Sequence, residues 1–520
     1  MRKRRGANHI KWGVVLTYIM LFLNIGISLT YTPVMLRILG QSEHGLYSTV
    51  SSVMSWLSLL NLGFGASYIR YYSKYKVKND EAHIASINGL FLLLFGIIGI
   101  VALICGFVIS QNLHLIFSDG MTEAEYAKAR VLALVVTVDM AIGFPASVFS
   151  SMIRAQEKFI QLKVINLFQC VTTPLVTLPI LLMGYGSVGM VLCTTIVDAI
   201  AYSMNIYYCF RKLHVKVRLK GNEKGIFKDM FSFSIFIAIN SVINQFNSGL
   251  DKMFITRYVN TAAASVYTIG HSLHTYYSSF SGAVSGVFVP RIYRIVNENE
   301  EDKTALKNAL TQQFIKLGRI QFFIQLLMLT GIIFFGKQFI LLWAGEGYGN
   351  SYYIALLLAG SYTVPLIQSI GVEIQRAQNK HRIRTAAYAV LTALNVALTI
   401  ILCKVWGEIG AAVGTAVATV AVDWFFMNIL YHKKLYIDIF AFWKNILKAS
   451  PGLIVPIVCG VLIKKFLVLD SYFKLAPFIL LYTAIYCGSM WLLMNREERE
   501  LILGPVRRIL GKFKKGEATK

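Results

Sequence analysis

The chain has 520 residues, of which 56% are apolar and only 15% charged, against roughly 25% charged in a soluble domain. With a mean hydropathy of +0.58, so much apolar surface cannot be hidden in water, which excludes an ordinary soluble enzyme, a disordered chain and a collagen-like one. The 51 Lys and Arg against 26 Asp and Glu give a formal charge of +25. In a soluble protein this would point to nucleic acid, but in a membrane protein its meaning depends on where the charges fall.

The chain opens on Met1-Arg2-Lys3-Arg4-Arg5, a basic start like that of a signal peptide. The apolar run that follows Trp12 lasts about 25 residues and lacks a small-x-small cleavage site, so a retained first membrane helix is expected. Further apolar runs bring the total to fourteen, at 12–36, 45–69, 84–109, 127–151, 160–183, 187–210, 227–250, 260–289, 312–336, 351–375, 385–405, 409–431, 446–466 and 474–494. Each is near the 20 or so residues that cross a bilayer. The expected fold class is therefore an all-α polytopic membrane protein with about 14 transmembrane helices. With the N-terminus in the cytoplasm, 41 Lys and Arg fall inside and 10 outside, so both termini are expected in the cytoplasm. The acidic loop from Ser118 to Glu125 then lies outside, and the stretch from Arg211 to Lys228, with seven Lys and Arg, lies inside. The longest polar segments, 211–226 and 291–311, read as cytoplasmic linkers. The loops leave no room for a soluble catalytic domain, and no GxxxxGK[ST] loop is present to cradle a nucleotide. The seven cysteines all lie in apolar runs without CxxC spacing, so they read as small buried hydrophobes.

Two stretches repeat. Arg154-Ala155-Gln156-Glu157-Lys158 follows the fourth run and Arg376-Ala377-Gln378-Asn379-Lys380 the tenth, 222 residues later. After each comes a span with Asn and Leu, a Gly-bearing turn (Gly184 and Gly186; Gly407 and Gly410) and a span with an aspartate, Asp198 or Asp423. Six helices per copy keep both copies in one orientation, the parallel repeat of two-lobed transporters. The expected organisation is an N-lobe at 1–215 (spans 1–6), a C-lobe at 216–435 (spans 7–12), and 436–520 holding spans 13 and 14 and a basic cytoplasmic tail. The Arg-Ala-Gln-x-Lys motif itself reads as a turn that contacts lipid heads.

Some spans carry polar stripes. In span 7, Asn240, Asn244, Asn247 and Asp251 recur at i, i+4, i+7 and i+11, with Gln245 beside them, and so share a face. In span 8, His271, His274, Ser278, Ser281 and Ser285 do the same, while span 1 has Thr17, Asn24, Ser28 and Tyr31 and span 2 has Ser51, Ser55, Ser58 and Asn61. Two readings stand: a shared water-filled cavity, or interhelical hydrogen bonds that glue helices together. Span 7 favours the cavity, because its aspartate needs water or a cation. Arg70, Arg291 and Arg294 close spans 2 and 8, either snorkelling to the inner surface or forming a cationic vestibule suited to phosphate. Lys316 and Arg319 read as simple anchors, and Asp139 and Asp198 as partners within the first lobe. His271 and His274 either titrate in a proton-linked cycle or are satisfied by carbonyls.

Several segments resemble the polysaccharide transport family of the multidrug, oligosaccharidyl-lipid and polysaccharide exporter superfamily. They are Leu36-Arg37-Ile38-Leu39-Gly40 with Gly45-Leu46-Tyr47, Asn61-Leu62-Gly63-Phe64-Gly65 with Arg70-Tyr71, Arg154 to Phe159, Gly249-Leu250-Asp251-Lys252, Ala264 to Tyr267, and Phe288-Val289-Pro290-Arg291. At Asn61 the chain departs from the acidic residue usual in that family. The resemblance implies a V-shaped cavity lined by helices 1, 2, 7 and 8. It implies a flippase, not an enzyme, for an undecaprenyl-diphosphate-linked glycan, of the O-antigen and teichoic-acid type, moving by alternating access in a bacterial plasma membrane. Substrate contacts would come from Arg70, Arg291, Arg294, Asn240, Asn244, Gln245, Asn247, Asp251, His271, His274 and Asn24. No cofactor or nucleic acid is expected. Coupling to membrane potential, H+ or Na+ stays open, as does contact with a polymerase and glycosyltransferases, and a monomer is expected. An ion-coupled multidrug/cation antiporter of the same superfamily is the alternative.

Overall fold

The computed structural model describes residues 2–218, 234, 238, 241–242, 245–246, 249–299, 301–378, 380–467 and 469–500, with backbone alone at 2–18, 21, 66, 119, 283, 287, 381 and 382. Among these residues the regular structure is helical throughout, with no strand. By length and apolarity, nine of the described helices can cross a membrane, or ten if the bent pair Glu346–Ile367 and Ile370–Ala377 forms one span. The chain is a multi-pass membrane protein. Two of the nine, Phe22–Asn61 and Ile383–Lys434, run 40 and 52 residues, about 60 and 78 Å at 1.5 Å per residue. Both far exceed the roughly 30 Å hydrocarbon core. Each contains a non-helical break, at Gly40 (φ 74°) and at Trp406 and Gly407 (φ 58°), where the hydropathy pattern separates span 1 from 2 and span 11 from 12.

Local chemistry sets the helix starts. Asp80 accepts from the His83 N–H, Asp302 from Thr304 and Ala305, and Asp438 from Ala441, each supplying an acceptor to donors that lack one in the first turn. Thr122 and Glu125 form a reciprocal capping box at Glu123–Ala155. The repeated motif is a turn in both copies. Helices Glu123–Ala155 and Ile370–Ala377 end on Gln156 (φ −90°, ψ 9°) and Gln378 (φ −86°, ψ 4°). The following Lys158 and Lys380 N–H groups then donate back to the carbonyls of Ile153 and Gln375.

By packing, the chain falls into two units, residues 1–268 with 399–411, and residues 269–398 with 412–520. In the first, Glu81–Gln111 packs along Glu123–Ala155, which packs on Gly186–Arg211, and Phe159–Leu182 joins that helix to the first one. Phe64, Tyr68, Phe91, Phe95, Phe144 and Phe149 build its aromatic core. In the second unit, Lys303–Trp343 runs against Gly349–Ile367, Ile439–Ala449 and Tyr472–Leu493. Its core joins Phe314, Tyr431 and Phe442, with ring centroids 4.8 Å apart for Phe314 and Phe442.

Arg319 corrects the sequence expectation of an anchor. Its side chain is 6% exposed and its Nε donates to Glu498 Oε1 at 2.5 Å. Nη2 donates to Glu498 Oε2 and the Leu493 carbonyl, and Nη1 to the Asn445 carbonyl. A guanidinium removed from water needs such a set of acceptors, and a carboxylate 179 positions away provides half of it. Lys316 is likewise paired, to Glu497 at 2.5 Å.

Candidate functional site

The first unit holds a groove of about 470 Å3 between span 1 and span 5, lined by both polar and apolar side chains. From span 1 it takes Asn24, Ser28 and Tyr31, and from span 5 Asn166, Gln169, Cys170 and Thr173. Asn24 donates to the Met20 carbonyl and accepts from Cys170 Sγ at 3.2 Å, while Tyr31 shares a 2.8 Å hydrogen bond with Thr177. Gln169 Nε2 donates to Asp198 Oδ1 at 2.8 Å, and Asp139 lies close enough to Asp198 for their charges to interact. Amides and hydroxyls in hydrocarbon are costly unless paired or wet; Asn24 is paired within the fold and, like Asn166, remains exposed. The sequence reading put Asn24 in a cavity lined by spans 1, 2, 7 and 8 and passed over span 5, with which it lines this groove. Its signal was present as Asn166, Gln169, Thr173 and Thr177, at i, i+3, i+7 and i+11 on one helical face.

The other expected site residues scatter. Asn240, Asn244 and Asn247 lie outside the described residues. Gln245 donates to Ser55 Oγ at 2.6 Å, a contact of spans 7 and 2 within the first unit. Asp251 is buried and accepts from Tyr267 at 2.5 Å and Thr399 at 3.4 Å. Arg70, in helix Phe64–Val77 of the first unit, is exposed. Arg291 and Arg294, in the second, are exposed on Thr261–Glu298, and Arg294 sits 3.8 Å from Glu298. His274 is buried beside Tyr362 (ring centroids 4.4 Å) and near Ser278 at 3.4 Å, and His271 lies 5.8 Å from it, ring to ring. Ser281 and Ser285 of the same stripe act as glue: Ser281 donates to the Leu366 carbonyl and Ser285 bonds Ser369 at 2.6 Å.

A second feature of the first unit is a ring of hydroxyls where spans 1, 2, 4, 7 and 8 meet at the end that the charge pattern puts outside. Ser42 and Thr261 both donate to Glu125 Oε1, at 2.5 and 2.6 Å. His44 Nδ1 and Ser265, Ser48 and Thr268, and Thr49 and Thr256 pair at 2.7, 3.0 and 2.7 Å. The backbones touch here. A Cβ on Gly45 would stand 1.7 Å from the Thr261 carbonyl oxygen, and one on Gly120 would stand 1.9 Å from that of Thr256. Only glycine permits such an approach.

Two carboxylates hold the rim. Glu43 receives the Ser187 N–H at 2.6 Å, at the start of helix Gly186–Arg211, and Lys128 at 2.9 Å. Burial raises its pKa, but the Ser187 N–H and Lys128 outweigh burial and hold it below the ordinary value. At Glu125 burial again raises the pKa, but hydrogen bonds from Ser42, Thr122 and Thr261 together outweigh burial and hold it below the ordinary value. A folded-state pKa below the unfolded one, about 4.3 for Glu, adds stability above that value and loses it as pH falls through the folded value. Thermal unfolding in detergent is therefore expected to hold steady near neutral pH and drop below about pH 4. Glu43→Gln with Glu125→Gln should lower the neutral-pH midpoint and flatten the acid limb. An unchanged acid limb in that variant would contradict the assignment.

The sequence pattern of a family described as "Polysaccharide biosynthesis protein" matches residues 34–352, more than half of the chain. The chain belongs to this family. Within its fold class, a structure of the lipid II flippase MurJ in an inward closed conformation superposes with a TM-score of 0.68 at 16% identity, covering 94% of this chain and 99% of that one. An inward-facing multidrug resistance MATE family transporter of the MOP superfamily gives 0.60 at 16% identity, covering 80% and 99%. This member of the polysaccharide biosynthesis family thus has the MurJ and MATE fold. A curated relative, the probable low-salt glycan biosynthesis flippase Agl15 of Haloferax volcanii, is 24% identical over 196 residues, 37% of this chain. The match spans 39% of that relative's length. The relatives named are described as flippases and a transporter.

Proposed function

We propose that this protein is a flippase that carries a lipid-linked glycan, of the undecaprenyl-diphosphate class, from the inner to the outer leaflet of a bacterial plasma membrane. The observation that carries the proposal is the groove of Asn24, Ser28, Tyr31, Asn166, Gln169 and Thr173 between two apolar spans: amides and hydroxyls exchange hydrogen bonds with sugar hydroxyls, and lipid tails offer no such partner. Membership of a polysaccharide biosynthesis family supports the reading. The glycan head would occupy the groove while the polyprenyl tail stays in lipid. The exposed guanidinium group of Arg70, in the same unit, would meet the diphosphate. Two six-helix lobes, 1–215 and 216–435, would alternate access, with both termini cytoplasmic. A doubly charged head costs several kcal/mol per charge in hydrocarbon, so unassisted flipping is slow. An inside-negative potential of 100 mV favours outward movement of two negative charges by about 4–5 kcal/mol, enough to drive export with or without H+ or Na+.

Asn166→Leu with Gln169→Leu is expected to leave the protein in the membrane and to make a dependent strain accumulate its lipid-linked glycan on the cytoplasmic side. Unchanged surface polymer in that strain would refute the groove. The second reading, a cation antiporter, is favoured by the acids Asp139 and Asp198 beside Gln169. It predicts dye efflux lost in Asp198→Asn.

A further inference from the structure

On the basic side of the second unit, a polar cavity of about 590 Å3 lies among the starts of spans 9 and 13, the end of span 8 and the segment after span 14. This volume falls in the range of small-ligand sites. Its wall carries four cations, Arg291, Lys316, Arg319 and Arg496, and two acids, Glu497 and Glu498. Both acids are committed: Glu498 to the buried Arg319 and Glu497 to Lys316, each at 2.5 Å. Arg291 is exposed and attracts Glu497 electrostatically, and Arg496, 95% exposed, faces Glu500 at 3.7 Å among the described residues. The lining thus keeps an excess of two positive charges, carried by guanidinium forks at the rim. A further sign lies in the wall. Gln313 is 4% exposed, and its Nε2 is buried with no hydrogen-bond partner among the described residues. An amide donor left unpaired in a native wall, beside a cationic rim, marks a place for an acceptor from outside the chain.

We propose that this cavity is a binding site for a phosphate ester at the membrane surface, with Arg291 and Arg496 pairing its oxygens and Gln313 donating to it. The inference stands apart from the glycan groove and holds whether or not the protein moves a glycan. The same chemistry is offered by a resident anionic phospholipid and by a prenyl diphosphate, so two probes separate the sources. Binding of dihexanoylphosphatidylglycerol and of farnesyl diphosphate to the full-length protein in detergent would be measured, with dihexanoylphosphatidylcholine as the zwitterionic control. At least one anionic probe is expected to saturate, tighter than the control. Phosphatidylglycerol binding alone identifies a lipid site, farnesyl diphosphate binding alone a carrier site, and both together a general phosphate site.

Arg291→Ala with Arg496→Ala, both rim positions, should weaken binding at least tenfold without moving the melting temperature. Glu497→Gln should tighten binding several-fold, because it releases Lys316 toward the ligand and removes a repelling charge. A cavity whose charges only brace the fold would not gain affinity in this way. The proposal is overturned if neither anionic probe saturates, if the control binds as tightly, or if the double variant binds as the wild type does.

Discussion

Arg319→Ala is expected to destabilise the protein by about 3–5 kcal/mol, and Glu498→Ala by a similar amount. Each change strands one member of a pair that is 6% and 4% exposed. The stranded charge has lost the water it would need, and that loss, more than the missing attraction, sets the size of the effect. Among the described residues, Glu498 stranded alone would keep the Asn495 N–H, which donates to its Oε2 at 2.8 Å. Replacing both partners with apolar residues of similar volume, Arg319→Met with Glu498→Leu, should recover much of the loss. Denaturant unfolding in detergent measures all three. If the double variant proves as unstable as the two single variants added together, the pair is not the coupled unit described. Because the pair ties the segment after span 14 to the starts of spans 9 and 13, the single variants should also loosen 495–500, read as faster cleavage there by an added protease.

The second large effect concerns transport. Thr49→Cys with Thr256→Cys, in a background without the seven native cysteines, places thiols where two hydroxyls now lie 2.7 Å apart. Under the proposed alternating access, the outer ring of the first unit must open to release cargo. Oxidising the pair should then reduce transport to background, and a reductant should restore it. The close contacts of Gly45 and Gly120 with the carbonyls of Thr261 and Thr256 show how tightly the ring is packed. Full transport by the oxidised variant, with the disulfide confirmed by mass shift, would mean that this ring does not gate.

The parts of the fold that depend on local pattern were legible in the sequence. Apolar runs located the helices, and the breaks at Gly40 and Gly407 fall where hydropathy predicts loops. The repeated Arg-Ala-Gln-x-Lys motif announced two turns of the same geometry, because a helix end is fixed by its own neighbours. Helix lengths were underestimated. Lys303–Trp343 has 41 residues, where the apolar run spans only 312–336, since its first turns extend beyond the hydrophobic stretch. What eluded the sequence was pairing at a distance. Nothing near Arg319 indicates that Glu498 will reach it, so a buried ion pair looked like an anchor. The serines of span 8 have one spacing for lining a cavity and for bonding a neighbour, and only the positions of Leu366 and Ser369 show that Ser281 and Ser285 do the second. The polar face of span 5 was visible but separated by apolar residues, and it gained meaning only once Asn24 and Tyr31 of span 1 stood opposite.

The central claim is movement of a glycan-bearing lipid across a bilayer. It is tested most directly with purified protein in liposomes that hold a fluorescent polyprenyl-diphosphate oligosaccharide in both leaflets, with a membrane-impermeant quencher added outside. The account predicts that nearly all of the label becomes quenchable in protein-containing vesicles, faster when a potential drives negative charge toward the quencher. It also predicts that Asn166→Leu with Gln169→Leu returns the signal to the outer-leaflet share alone. Quenching confined to that share with the wild-type protein, in vesicles shown to contain it folded, would contradict the account.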